Sequence, residues 1–335
     1  MKKSGFINFT GILLLLYISF AGCKKTDNPI KFPNGTFPDT VVNIADINSN
    51  YDDYNIALYQ LDDNLPIIFS SNRKSAGGQF DLEQGNVSFT FDQTTGAFVF
   101  KSTMTTDPFY DKLINKAKTP RNDFGPYRLF SKVDGYEYFL LSSVNAAGNL
   151  DFYYLKNQPS SGSVLPEVSG PFPISLLNTS SDDAYISFNY EQDTVYFSSN
   201  KDGNFDIYLL NIPAGEDKDL ASWFNLDYQS PIRPDSINSP EEDKCPFIYG
   251  QIMVFASNRP GGMGGFDLYY SILKKGKWSF PVNFGPKINT AYDEYRPVVG
   301  SSTSFTNKYM MFSSNRPGGK GGFDLYFTGI DIPSK

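Results

Sequence analysis

Histidine is absent from the 335 residues. Its absence excludes Ser-His-Asp and Cys-His nucleophile systems, HExxH zinc sites and any imidazole proton shuttle. Carboxylate pairs, Ser-Lys chemistry and oxygen-ligated metals are the chemistries that remain open. Cysteine is scarce: Cys23 and Cys245 are the only two, too few for a disulfide framework. Positive charge is in deficit, with 29 Lys and Arg against 36 Asp and Glu and a formal net charge of −7. No basic stripe relieves it, which argues against nucleic acid as a partner. What is abundant is aromatic, at 16%, with 28 Gly and 22 Pro, a composition suited to many short strands and tight turns.

One apolar run is long. Lys2 and Lys3 precede Phe6 to Phe20, which ends in Ala21-Gly22-Cys23. A basic start, a short apolar core and small residues before a cut read as a secretory leader, too short for a membrane span. Phe20-Ala21-Gly22-Cys23 resembles the bacterial lipobox, which implies cleavage before Cys23 and its lipidation. Several acyl chains, at about 0.8 kcal/mol per buried methylene, would hold the protein on a membrane. The expected layout is therefore residues 1–22 as leader, 23–38 as lipidated cysteine and flexible tether, and 39–335 as the folded body. Lys24 is not the aspartate that retains enteric lipoproteins at the inner membrane, so the expected address is the outer membrane, on either side of it. Cys245, without a partner in an oxidising compartment, reads as a small buried apolar residue.

The body is a repeat. Ile67 to Leu82, Phe139 to Leu155, Val195 to Leu210, Met253 to Ser271 and Met310 to Thr328 are five versions of one strand-turn-strand phrase, clearest in FSSNRPGGKGGFDLY at Phe312 to Tyr326. Anchored on Ser71, Ser143, Ser199, Ser257 and Ser314, the steps are 72, 56, 58 and 57. A second phrase precedes each copy: Ile47-Asn48, Leu177-Asn178, Ile237-Asn238 and Ile288-Asn289, each followed by an acidic pair, with a degraded version at Ile114-Asn115 and Asp123. Four short strands per unit of 40 to 60 residues indicate propeller blades. The expected fold is all-β, a single propeller of five four-stranded blades, with six as the alternative. The extra residues of the first step, around FTFDQTTGAFVF, read as a longer hairpin. The last repeat lacks a fourth strand, and a segment near Thr40 to Ile44 has no blade before it. The two ends are expected to pair, because an open blade would expose a sheet edge.

These phrases resemble the WD-like β-propeller repeats of TolB and related envelope proteins of Bacteroidota. TolB has six blades, whereas five phrases are counted here. The resemblance implies a periplasmic or surface protein-interaction module without an activity of its own. On that reading the chain is not an enzyme, binds no cofactor or metal, and is an accessory scaffold of an outer-membrane secretion, assembly or uptake complex. Its partners would be envelope proteins and, through the lipid, the membrane.

Asp81, Asp151, Asp206, Asp267 and Asp324 recur once per blade and read as structural, bonding turn amides and neighbouring cations. Arg73, Lys201, Arg259 and Arg316 should lie near Asp53, Asp183, Asp243 and Glu294, and this face of loops is the candidate interaction surface. Asn200 to Asp206 alternates oxygen ligands as a calcium loop does, but lacks the bidentate Glu and reads as a hairpin turn. The glycines of RPGGMGGFD and RPGGKGGFD precede no helix or GK[ST], so a phosphate loop fails. Phe197, Phe205, Phe255, Phe266, Phe312 and Phe323 read as core between blades. The alternative is a carbohydrate-binding or glycoside-hydrolase-like five-bladed propeller, which if catalytic needs a pair of carboxylates. Glu137, Glu167 and Glu191 are the acids peculiar to one blade, and no shared motif surrounds them.

Overall fold

In a computed structural model of the chain, residues 29–58, 63–159, 164–212, 219–234 and 236–333 are described. The leader and Cys23 lie outside them. The chain opens with a short strand β1 (Val42–Asn43) and then lays down blades in sequence. The first holds β2 (Asp53–Leu58), β3 (Asn64–Ser71), β4 (Asp81–Phe91) and β5 (Phe98–Met104). Helix α1 (Pro108–Ala117) leads to the second, of β6 (Asp123–Phe130), β7 (Glu137–Val144), β8 (Leu150–Asn157) and β9 (Val168–Pro173). The third has β10 (Asp183–Phe188), β11 (Thr194–Ser199) and β12 (Asp206–Asn211), followed by α2 (Leu220–Phe224). The fourth has β13 (Asp243–Tyr249), β14 (Ile252–Ser257) and β15 (Asp267–Lys274), then the short β16 (Lys277–Trp278) and β17 (Val282–Asn283). The fifth has β18 (Glu294–Ser301), β19 (Lys308–Ser314) and β20 (Asp324–Ile330).

Successive inner strands β2, β6, β10, β13 and β18 pack side by side, and β18 returns to β2. This is the five-bladed ring expected from the repeats. Its seam also closes as expected: Val42 pairs with Phe327 and Asn43 with Tyr326, so β1 becomes the outer strand of the fifth blade. The long first step is the β4–β5 hairpin, in register from Gly85 with Met104 to Phe91 with Phe98. The third blade departs from four strands. Among the described residues its outer position is a single bridge between Leu209 and Ile232, where Pro231 and Pro234 flank Ile232 and neither can donate to a ladder.

The second phrase of the repeat is a clip. Asn48 donates to and accepts from the backbone of Leu325 at 2.9 and 2.8 Å. Asn178 does the same on Phe152, Asn238 on Ile207 and Asn289 on Leu268. Each amide thus continues the ladder of the preceding blade's third strand with its side chain. The degraded version lies in α1, whose N-cap Asp107 accepts from Phe109 and Tyr110 and which buries Leu113 and Ala117. The end of the expected tether is laid on the ring from Lys31 onward, where Lys31 and Phe32 donate to the Gln93 carbonyl and Gly35 bridges Phe305.

Candidate functional site

The carboxylate that opens each inner strand is completely buried, as seen at Asp53, Asp123, Asp183, Asp243 and Glu294. Three find the expected guanidinium. Arg73 pairs with Asp53, Arg259 with Asp243 at 2.5 Å and Arg316 with Glu294 at 3.0 Å. Each arginine also donates to a blade-connecting carbonyl, Ile47, Ile237 or Ile288. Lys201 is not brought to Asp183; its ammonium pairs with Asp202. The once-per-blade aspartates do what turn chemistry suggests. Asp267 accepts from Met263 and Gly264, and Asp324 from Lys320 and Gly321. Asp151 accepts from Asn145, while Asp81 and Asp206 pair with Lys118 and Arg233. These arginines and aspartates are therefore engaged within the fold.

Among the described residues Asp123 and Asp183 lack such a cationic partner, and burial raises both carboxyls; at Asp183 the consequence is measurable. Asp183 accepts from Thr179 through both backbone and hydroxyl, yet no cation is paired with it among the described residues. Burial pushes its carboxyl up from 3.8 to about 6. The folded state then holds the proton more tightly than the unfolded state does. The stabilisation is complete at acid pH and is lost as pH rises through about 6. Asp183→Asn is expected to gain roughly 2 kcal/mol relative to wild type on going from pH 4.5 to pH 7.5. Thermal melts at the two pH values check this, and parallel pH curves for the two proteins would contradict it.

The channel is built from a bulge repeated in every inner strand. The register slips between Tyr54 and Ala57, Phe124 and Tyr127, Ala184 and Ser187, Lys244 and Phe247, and Tyr295 and Val298. At each slip one residue takes a left-handed conformation: Asn55, Gly125, Tyr185, Cys245 and Arg296. Such a conformation in a non-glycine residue costs on the order of 1–3 kcal/mol, so the ring is over-determined by its neighbours. Ser313 and Ser198 contribute by accepting from the bulged Asn55 and Cys245 amides. Above the bulges sits an aromatic mouth. Tyr54 lies 5.1 Å from Phe323 and 5.7 Å from Tyr295, and Phe266 lies 4.8 Å from Tyr295. Phe197, Phe255 and Phe312 are buried between strands as expected, whereas Phe205, Phe266 and Phe323 are half-buried, the last two being members of this mouth. No carboxylate stands among the five bulge residues.

A second concavity opens on the opposite side of the ring, between the third and fourth blades. Its volume is about 740 Å³, within the range of small-ligand sites. It lies where the third blade's outer strand has shrunk to one bridge. Tyr196 and Trp278 line it edge to face, with centroids 5.9 Å apart. Tyr190, 71% exposed, stands on the β10–β11 hairpin with the Lys132 ammonium 3.4 Å over its ring. Asn211, Gln251 and Lys277 add amide and ammonium groups, and Glu191 is the one carboxylate among the lining residues. Sequence reasoning singled out Glu191 but not the groove, because its walls come from hairpins outside the shared phrase. Glu137 is instead held by Asn157 at 3.0 Å, and Glu167 by Lys112 at 2.9 Å.

No family model matches the sequence, nor does any curated protein. Solved structures match the fold. A thermostable family-43 glycoside hydrolase superposes with a TM-score of 0.54 at 12% identity, over 84% of this chain and 90% of that one. An exo-β-1,3-galactanase from Clostridium thermocellum gives 0.51 at 11%, over 88% of this chain and 63% of that one. An exo-1,5-α-L-arabinanase from a bovine ruminal metagenomic library gives 0.48 at 10%, over 84% and 94%. The first two neighbours correct the expected kinship with TolB and WD-like repeats: the ring matches glycoside-hydrolase propellers of the same blade number. The accessory protein-interaction scaffold rested on that kinship and is withdrawn with it. The expectation that the chain is not an enzyme is withdrawn too, since the solved proteins sharing this ring are hydrolases. At this identity the likeness establishes the fold, and site residues have to be argued from the chain itself.

Proposed function

We propose that this protein is a carbohydrate-directed propeller of the glycoside-hydrolase type, which seats an oligosaccharide in the groove between its third and fourth blades. The observation that carries the reading is the groove's lining: aromatic walls beside amide, ammonium and carboxylate groups. Sugars present apolar C–H faces and a rim of hydroxyls, and such a lining offers surface to the first and hydrogen bonds to the second. The glycoside hydrolases of the same fold support a sugar over other small ligands. Glu191 is placed to accept from sugar hydroxyls or to act as one member of a catalytic pair. The second carboxylate that hydrolysis needs within about 5–10 Å is not among the groove's lining residues.

Titration calorimetry with xylo-, arabino- and β-1,3-galacto-oligosaccharides, run beside a reducing-sugar assay, tests the proposal. Binding of at least one series is expected, with Tyr190→Ala and Gln251→Ala each weakening it about 5- to 10-fold at unchanged melting temperature, a loss of roughly 1–1.4 kcal/mol. Glycan binding untouched by both variants would move the site away from this groove. Failure of all the sugars to bind or react would end the carbohydrate reading.

A further inference from the structure

Arg296 is completely buried at the channel bulge of the fifth blade. Its Nη2 donates to the Pro126 carbonyl of the second blade at 3.3 Å, so the side chain spans the channel. Nε and Nη1 have no hydrogen-bond partner among the described residues. Tyr185 presents its ring, 5.6 Å from the guanidinium carbon. Asn55, on the adjacent inner strand, is also fully buried, and its amide lies beside the Tyr185 hydroxyl without forming a good hydrogen bond. The core of the ring thus holds an arginine and an asparagine whose donors point into it unmatched.

Charge sharpens the point. A guanidinium stays protonated in proteins, and a buried cation without a counter-charge costs far more than its neighbours' packing returns. The groups that act on this one are Cys245, Tyr185, Tyr127 and Tyr54. Burial holds the Cys245 thiol up to about 12 and raises all three phenols above their ordinary values, so none is an anion at neutral pH. Lys244, the other cation near the channel, is neutralised by Glu242 at 2.5 Å. The deficit is therefore one negative charge, at Arg296.

We infer that a small monovalent anion of halide size occupies the propeller channel, held by Nε and Nη1 of Arg296 with the Asn55 amide beside it. The bulged backbone is what aims both side chains inward.

Two measurements on the whole protein test this. Crystals grown in sodium bromide should show an anomalous peak within hydrogen-bonding distance of Nε or Nη1 of Arg296. At constant ionic strength, chloride or bromide should raise the melting temperature by about 3–5 °C over gluconate, which is too large to enter, when the halide is near 100-fold above its Kd. Arg296→Met should lose that difference. Ordered water at the guanidinium, with no anomalous signal and equal melting in all three salts, would overturn the inference, and the wild-type diffraction result decides even if the variant does not fold.

Discussion

Deleting residues 29–43 is expected to abolish cooperative folding, the largest effect of any change considered. The segment does three things at the seam. β1 supplies the outer strand of the fifth blade. Its approach is tied down by Gly35 to Ser304, Thr306 to Gly35 and Gly329 to Pro38 on the backbone, and by Asn307, which bonds both the amide and the carbonyl of Phe37. Phe37 itself is 1% exposed, stacked on Phe305 at 3.8 Å and edge-on to Phe89 at 4.8 Å and Tyr309 at 5.3 Å. Losing that one ring, as in Phe37→Ala, should cost about 3–5 kcal/mol. Removing the strand and its hydrogen bonds as well brings the loss to the order of a domain's whole stability, about 5–15 kcal/mol, and opens an edge prone to pairing with other chains. Near-UV circular dichroism and thermal melting give the result directly, and adding the missing segment as a peptide should restore part of the signal. A truncated protein that melts sharply within a few degrees of the intact one would show that the ring does not depend on its seam.

The blade number, the seam and the ion pairs could be read from the sequence because each rests on a repeated pattern. A repeat shows where its period is, so Ser71 to Ser314 gave five units, and the unmatched Val42 segment had only one place to go. The same logic placed Arg73, Arg259 and Arg316 beside their carboxylates. It failed at Lys201, where Asp202 in the adjoining turn is the nearer partner, as its pairing shows. The left-handed bulges could not be read, because Asn55, Gly125, Tyr185, Cys245 and Arg296 share a backbone conformation and no side-chain chemistry. The groove escaped for the opposite reason: it depends on what the third blade lacks beside Ile232 and on hairpins that do not recur. The resemblance to TolB misled because the polar residues of the strand-turn-strand phrase are spent on building the blade. Its serines cap bulges, its asparagines accept from the amide that precedes the inner strand and its aspartates hold turns. The phrase therefore reports the architecture and carries little information about what the ring binds.

Gly321→Ala is expected to destabilise the protein by about 2–4 kcal/mol, whereas Gly318→Ala, three residues away, should cost about 1 kcal/mol. The two glycines serve different purposes. Gly318 has φ +92° and open space around it, so an added methyl meets only the backbone preference. Gly321 lies where the turn between β19 and β20 presses on the next blade. A Cβ there would stand 1.8 Å from the Tyr51 carbonyl oxygen, and one on Gly322 would stand 2.4 Å from Asp52 Oδ1. Asp52 in turn accepts from the Phe323 amide, so the contact cannot yield without losing a hydrogen bond that joins the fifth blade to the first. The fourth blade repeats the arrangement: a Cβ on Gly264 would stand 2.2 Å from the Tyr292 carbonyl oxygen. That repetition allows a comparison. Gly264→Ala strains a junction whose blades are consecutive in the chain, while Gly321→Ala strains the junction that closes the ring between its two ends. Both junctions are crossed by chain, but the strand that leads to Tyr292, β17, is joined covalently to β15 of its own blade, whereas β1, which leads to Tyr51, is held to β20 by hydrogen bonds and packing alone. The loss in melting temperature should therefore be greater for Gly321→Ala than for Gly264→Ala, and equal losses would mean that the closing junction is as strong as a continuous one.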